Sequence, residues 1–229
     1  MKLYIYQSPI VSVQGSKPTI IKLTLSKHKL DHDEYPRFAD LESPLYDSFL
    51  LAHLPEIAAA LSVSEKLPFM VATHNQTLEK DGLFEEWLKL LQSVLDNISN
   101  PLIVAFDACT PIDLLAKRRN SLTKLESNRV QYCLTINEAC GTATKHIKEF
   151  NWSFIVVQSN LLSAAIVDVS EALFVAKEKN IERIVTWIQS KVSLTIANEH
   201  DAQYVHGSIF SEPYYLIEAV ETVKGIGYG

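Results

Sequence analysis

Five residues within one short stretch, His28, Asp31, His32, Asp33 and Glu34, carry side chains that can ligate a metal. The two histidines are four apart, so on a helix they would share a face and could clamp one ion. The plainer reading is a solvated polar loop, because no further ligand is placed beside the pair. Cys109 and Cys140 each follow an expected strand end. Either thiol could act as a nucleophile, but nothing places a histidine base beside them, and a small buried side chain is the commoner fate of free cysteine. Gly207-Ser208 lacks the second glycine of a nucleophile elbow. Lys117-Arg118-Arg119 reads as a solvated helix face, or else as a contact for an acidic partner. Gly225-Ile226-Gly227 begins a Gly-x-Gly pattern with no helix after it, so residues 225–229 read as a frayed flexible tail rather than a dinucleotide loop.

Composition narrows the classes. The chain has 229 residues, enough for one large domain with a buried core. Hydrophobic residues make up 47% and charged residues 21%, the balance of a globular protein. The net charge of −6 gives no overall basic field to gather phosphates, so no nucleic acid is expected as a partner. Three cysteines without CxxC spacing point to reduced thiols rather than a disulfide framework or a zinc site, which fits a cytoplasmic location. Residues 3–6 are apolar for too short a run to be a signal peptide, and no run approaches a membrane span.

The elements that must position any site alternate in type. Residues 3–6 and 9–13 predict an extended segment, turned at Gln14-Gly15-Ser16 into a returning strand over 19–25, an antiparallel opening hairpin. Residues 27–34 predict a loop, and 44–61 a helix with Pro55 as a kink. Strands are expected at 69–72, 102–106, 130–136, 154–157, 183–187 and 203–205. Helices are expected between them at 83–95, 111–124, 142–150, 164–178 and 189–199, the last with Val192, Ile196 and Ala197 on one face. That alternation predicts a mainly parallel sheet under helices, in a single domain over residues 1–229. Trp87, Trp152, Tyr214 and Tyr215 read as packing residues.

The closing segment Tyr204-Val205-His206-Gly207-Ser208-Ile209-Phe210-Ser211-Glu212-Pro213 resembles the end of the EAL domain, the bacterial cyclic di-GMP phosphodiesterase family, where a Tyr-Val-Gln-Gly-x-x-Phe-Ser-x-Pro segment closes the barrel. The unit from residue 180 to 207 matches that family in length without gaps. The resemblance implies an α/β fold: a modified TIM-like (βα)8 barrel of the EAL type, opening with an antiparallel strand. It also implies a mouth, at the C-terminal strand ends, where carboxylates and an Asn hold divalent metals and a Lys helps to position the attacking water.

Carried over residue by residue, the resemblance puts other side chains there. The family's Glu-Ala-Leu falls on Lys22-Leu23-Thr24, and its Asn on Thr73. Glu-x-Thr-Glu falls on Ala105-Phe106-Asp107-Ala108, the paired aspartates on Thr135-Ile136, and Lys-Ile-Asp on Val156-Val157-Gln158. Glu-Gly-Val-Glu-Thr falls on Thr186-Trp187-Ile188-Gln189-Ser190, and the Gln before the last glycine becomes His206. Trp187 replaces a glycine, so it and His206 are expected to cover the pocket.

This pattern implies a degenerate EAL-like domain, with no metal, no other cofactor and no enzymatic activity. It implies a bacterial regulator that acts through an unidentified protein partner, with a second copy of the chain among the candidates. A cyclic di-GMP receptor that does not hydrolyse the nucleotide is the alternative. It ranks second because Lys27 stands where such receptors carry an arginine, and lysine cannot make the bidentate phosphate fork.

Overall fold

The computed structural model describes residues 2–15, 17–26, 45–61, 66–125, 129–210 and 214–220. The His28–Glu34 cluster and the tail at 225–229 lie outside them. β1 (Lys2–Ser12) and β2 (Pro18–Ser26) form the antiparallel hairpin, in register from Tyr4↔Ser26 to Ile10↔Ile20. β3 (Phe69–Thr73), β4 (Leu102–Asp107), β5 (Val130–Ile136), β6 (Phe154–Gln158), β7 (Glu182–Thr186) and the short β8 (Tyr204–Val205) follow in parallel, each beside the last. The ring closes where β1 meets β8, at Val11↔Val205 and Ser12↔Tyr204. β9 (Tyr214–Val220) lies antiparallel along the first half of β1, on the edge that β8 leaves open.

Two apolar clusters separate across this sheet. Ile10, Ile20, Met70, Ile103, Ala105, Cys133, Phe154, Val156 and Ile184 fill the lumen. The alternate residues of the same strands, among them Ile21, Val71, Val104, Leu134, Ile155 and Val185, meet the surrounding helices. Alternation of side chains along each strand produces this division. The helices are α1 (Leu45–Ala60), α2 (Asn75–Glu79), α3 (Asp81–Asn97), α4 (Ile112–Leu125), α5 (Ala143–Glu149), α6 (Ser159–Ser163), α7 (Val167–Glu178) and α8 (Lys191–Glu199).

Several sequence expectations are corrected. The five-residue helices α2 and α6 have no room to show a 3.6-residue period, and the sequence reading missed both. Because α6 ends in a turn with Ala165 at φ 50°, α7 begins at Val167 rather than at 164. Strand β9 was not anticipated. Val192 is 69% exposed, so the buried side of α8 is carried by Ala197, with Leu194 and Ile196 packed against the core. Arg118 is buried instead of solvated. Its guanidinium donates to the carbonyl of Leu78 at 2.6 and 2.8 Å, pairs with Asp81 at 2.7 Å and lies over the Phe84 ring.

The unit from Asn180 to Gly207 is framed by matching end signals. Asn180, at φ 56°, ends α7 with Ile181 N–H donating to the Ala176 carbonyl, and Asp201, at φ 54°, ends α8 with Ala202 N–H donating to Ala197. Both are Schellman closures. Ser190 opens α8 with a reciprocal capping box to Ser193. Gly207 then passes against the backbone of Ile188, with no room for a Cβ beside that residue's carbonyl. Gly207→Ala should therefore cost about 3 kcal/mol through overpacking. Gly15→Ala, where a Cβ would meet nothing within 4 Å, should change stability little. Urea denaturation of the two variants beside the parent checks this contrast.

Candidate functional site

The C-terminal ends of the parallel strands form the barrel mouth, and alternation decides which side chains reach it. On β2, Lys22 follows Ile20 on the lumen face and is paired in register with Met70 of β3. Ala105 of β4 and Val156 of β6 belong to the lumen cluster. Thr135, Gln158 and Thr186 continue the same faces upward from Cys133, Val156 and Ile184, and His206 follows the lumen residue Tyr204 by two. Lys22, Ala105, Thr135, Val156, Gln158, Thr186 and His206, with Asp107 two residues beyond Ala105, thus share the inner side of the strands.

Three others do not join them. Thr73 is buried on the helix-facing side of β3, in line with Phe69 and Val71, while Met70 and Ala72 face the lumen. Ala108 and Ile136 are buried in the outer cluster. Each lies one residue from a lumen position, and a shift of one residue reverses the face. Gln189 sits farther out, on the loop into α8, where its N–H donates to Ser193 Oγ at 3.2 Å.

The sequence reading missed a hydrogen-bonded chain along the mouth. The Asp107 carboxylate accepts from the Cys109 N–H at 2.7 Å and from Asn137 Nδ2 at 2.8 Å. Asn137 Oδ1 in turn accepts from Gln158 Nε2 at 3.3 Å. The ends of β4, β5 and β6 are thereby tied by side chains. Asn137 lies just past β5 and has no strong type signal of its own; only the closed barrel brings it between Asp107 and Gln158. A second polar cluster lies just past the end of β3, where buried Asp47 accepts from the His74 N–H at 2.8 Å and from Thr77 Oγ1 at 2.5 Å, with His74 Nδ1 at 2.6 Å from its other oxygen. It fastens α1 to the segment after β3.

Burial dominates the electrostatics of the lumen. Burial lowers the pKa of Lys22, with the nearby Cys133 acting in the opposite sense. Burial raises Cys133 to about 12, and burial, reinforced by the Lys22 charge, lowers His206 to about 3. At neutral pH both neighbours of Lys22 are uncharged. Burial also raises the Cys109 thiol, together with the adjacent Cys140 and the carboxylates of Asp107 and Glu138, so Cys109 is a poor nucleophile.

Trp187 takes a positive φ of 64°, a conformation that glycine adopts without strain and a tryptophan does not. Its carbonyl is held by Ser159 Oγ at 2.8 Å, and its indole is half-exposed at the rim. Beside it lies a cavity of about 20 Å³, lined by Trp187, Gln189, His206, Gly207 and Ser208. Among the described residues, no group of three or more His, Cys, Asp or Glu is placed to hold a metal ion, and no helix is long and apolar enough to cross a membrane.

No family model and no curated protein sequence matches the chain. Solved structures do. The EAL domain of Mycobacterium smegmatis DcpA superposes with a TM-score of 0.69 at 12% identity, covering 92% of each chain. The FimX EAL domain from Pseudomonas aeruginosa bound to c-di-GMP gives 0.68 at 15% identity, over 92% of this chain and 90% of that one. The PaMucR phosphodiesterase in its c-di-GMP complex gives 0.67 at 12% identity, over 92% and 91%. The fold is the EAL-type barrel, with its antiparallel opening strand.

His206 provides a pH test of this site. The unfolded chain takes up a proton near pH 6.5, whereas the folded protein keeps His206 neutral to about pH 3, so the unfolded state binds more protons in that window. The His206 contribution is complete above pH 6.5 and is lost progressively as pH falls towards 3. Between pH 7 and pH 5 the parent should lose about 2 kcal/mol more stability than His206→Gln. Denaturant midpoints at the two pH values measure the difference.

Proposed function

We propose that this chain is an EAL-type barrel without phosphodiesterase chemistry, which serves as a signalling or regulatory protein by binding another protein. The observation that carries this reading is the donor set of the mouth. Phosphodiester hydrolysis by two divalent metals needs several converging oxygen ligands, and the inward positions offer an ammonium, methyl groups, hydroxyls, an amide, an imidazole and a single carboxylate, Asp107. Lys22 repels a cation where the resemblance puts the first carboxylate. Asp107, the acid beside these positions, is committed to Cys109 and Asn137. Such a donor set does not fit a pair of metals.

A mouth with few carboxylates also suits a scaffold. Carboxylates packed together repel when no metal compensates them, and Ala105, Val156 and Thr186 avoid that cost. A protein partner is supported by the outer surface: Val167 and Phe174, seven residues apart and so on one side of α7, are 80% and 61% exposed.

The alternative is a cyclic di-GMP receptor without hydrolysis. It is favoured by the neighbours whose structures contain that nucleotide, and by Lys22 as a cation at the mouth. Calorimetric titration with cyclic di-GMP, with and without magnesium, followed by product analysis, separates the readings. The expected result is no binding heat and no product. Saturable binding without product would move the assignment to the receptor, and magnesium-dependent cleavage would overturn both.

A further inference from the structure

The layer of helices parts over β4 and β5. α5 is only 7 residues long and packs against α7 rather than closely against α4. A cavity of about 370 Å³ lies between α4 and the end of α5, on the helix side of the sheet and so separate from the lumen. Phe106 and Tyr132, pointing outward from β4 and β5, form its floor; Leu115 and Leu122 of α4 and Trp152, just before β6, form its walls. All of these are buried. The rings meet at 5.9 Å between Phe106 and Tyr132 and at 6.2 Å, edge to face, between Phe106 and Trp152. Their polar atoms are engaged within the protein: the Tyr132 hydroxyl donates to the Leu122 carbonyl at 2.6 Å, and Trp152 Nε1 donates to the His146 carbonyl at 2.9 Å. The inside of the cavity is therefore apolar and aromatic.

Protein interiors leave few spaces larger than a water molecule, because atoms that line an unfilled space forfeit dispersion contacts. About 150 Å³ suffices for benzene, so a cavity of about 370 Å³ has the size for two fused rings. The polar side chains that also line it include Arg119 and Glu149. Arg119 Nη2 donates to the Glu149 carbonyl, and its guanidinium lies over the Phe150 ring, 4.7 Å from the centroid. A cation is thereby held beside an aromatic interior, while the Glu149 carboxylate is 3.9 Å from Lys145. We propose that this cavity binds a planar aromatic carboxylic acid of two fused rings, with the rings against Phe106, Tyr132 and Trp152 and the carboxylate on Arg119. A flat aromatic body suits walls that already pack edge to face, and the planar guanidinium fork matches a carboxylate. The inference rests neither on the barrel mouth nor on a protein partner.

The test titrates the whole chain with 2-naphthoate and, separately, with the uncharged 2-naphthol, by calorimetry and by following the indole N–H resonances. The expected result is a saturable naphthoate isotherm, with naphthol bound about tenfold more weakly because it lacks the charge that Arg119 reads. The Trp152 resonance should shift with naphthoate, while that of Trp87, buried on α3, stays in place. Arg119→Gln should weaken naphthoate about tenfold, to the level of naphthol. Thr123→Trp, which sets a bulky ring at the cavity, should abolish binding of both. Arg119 and Thr123 are exposed, so both variants should melt with the parent, and Thr123→Phe serves in place of a tryptophan variant that does not fold. No saturable binding, equal affinity for naphthoate and naphthol, or undiminished binding with the cavity blocked would overturn the proposal.

Discussion

A closed barrel forces each strand to serve two surroundings, a lumen and a shell of helices, and the two-residue period of the strand is the means of doing so. Everything at the mouth follows from this constraint. Ile20 and Lys22 share a face with Met70, Ala105, Cys133, Val156 and Ile184, while Ile21, Leu23, Val71 and Val104 turn outward to the helices. The lumen floor is apolar because those alternate positions are apolar. Where the strands end, polar residues take over on the same faces. The site is thus set by phase along each strand as much as by residue type.

At the mouth itself, two kinds of polar arrangement coexist. Asp107, Asn137 and Gln158 satisfy one another and tie three strand ends together, so they act as a structural lacing. Lys22 stands apart from that lacing, on the lumen face of β2 beside Met70. A satisfied network stiffens a barrel rim. The positive φ of Trp187 and its bond from Ser159 fix the adjoining stretch of rim, where the chain leaves β7 for α8.

Much of the architecture was legible from pattern. Strands at 102–106, 130–136 and 154–157 stand within a residue of their observed bounds because continuous apolar runs between turn residues leave few alternatives. The hairpin of β1 and β2 was legible through its Gln14-Gly15 turn. The short helices α2 and α6 were not, since one turn carries no period. Arg118 looked like one of three surface charges, and only the approach of α4 to the Leu78–Asp81 corner buries it. At the mouth, matching by position named adjacent pairs such as Thr135 with Ile136, and ungapped spacing alone does not reveal that the sheet divides such a pair between its faces. Asn137 was invisible for a different reason: its role depends on two partners from other strands.

The way the ring closes bears on how the chain can come to be folded. β1 is bonded to β2 locally, yet its other edge is filled by β8 at Val205 and by β9 from Tyr214 to Val220, from the far end of the described chain. Among the described residues those pairings have the largest sequence separation, and loop-closure entropy must be met before they return any stabilisation. The parallel units from β3 to β7 can assemble progressively as each strand finds the one before it. During synthesis the opening hairpin therefore waits with an unpaired edge until β8 and β9 emerge, and the barrel gains its seam last.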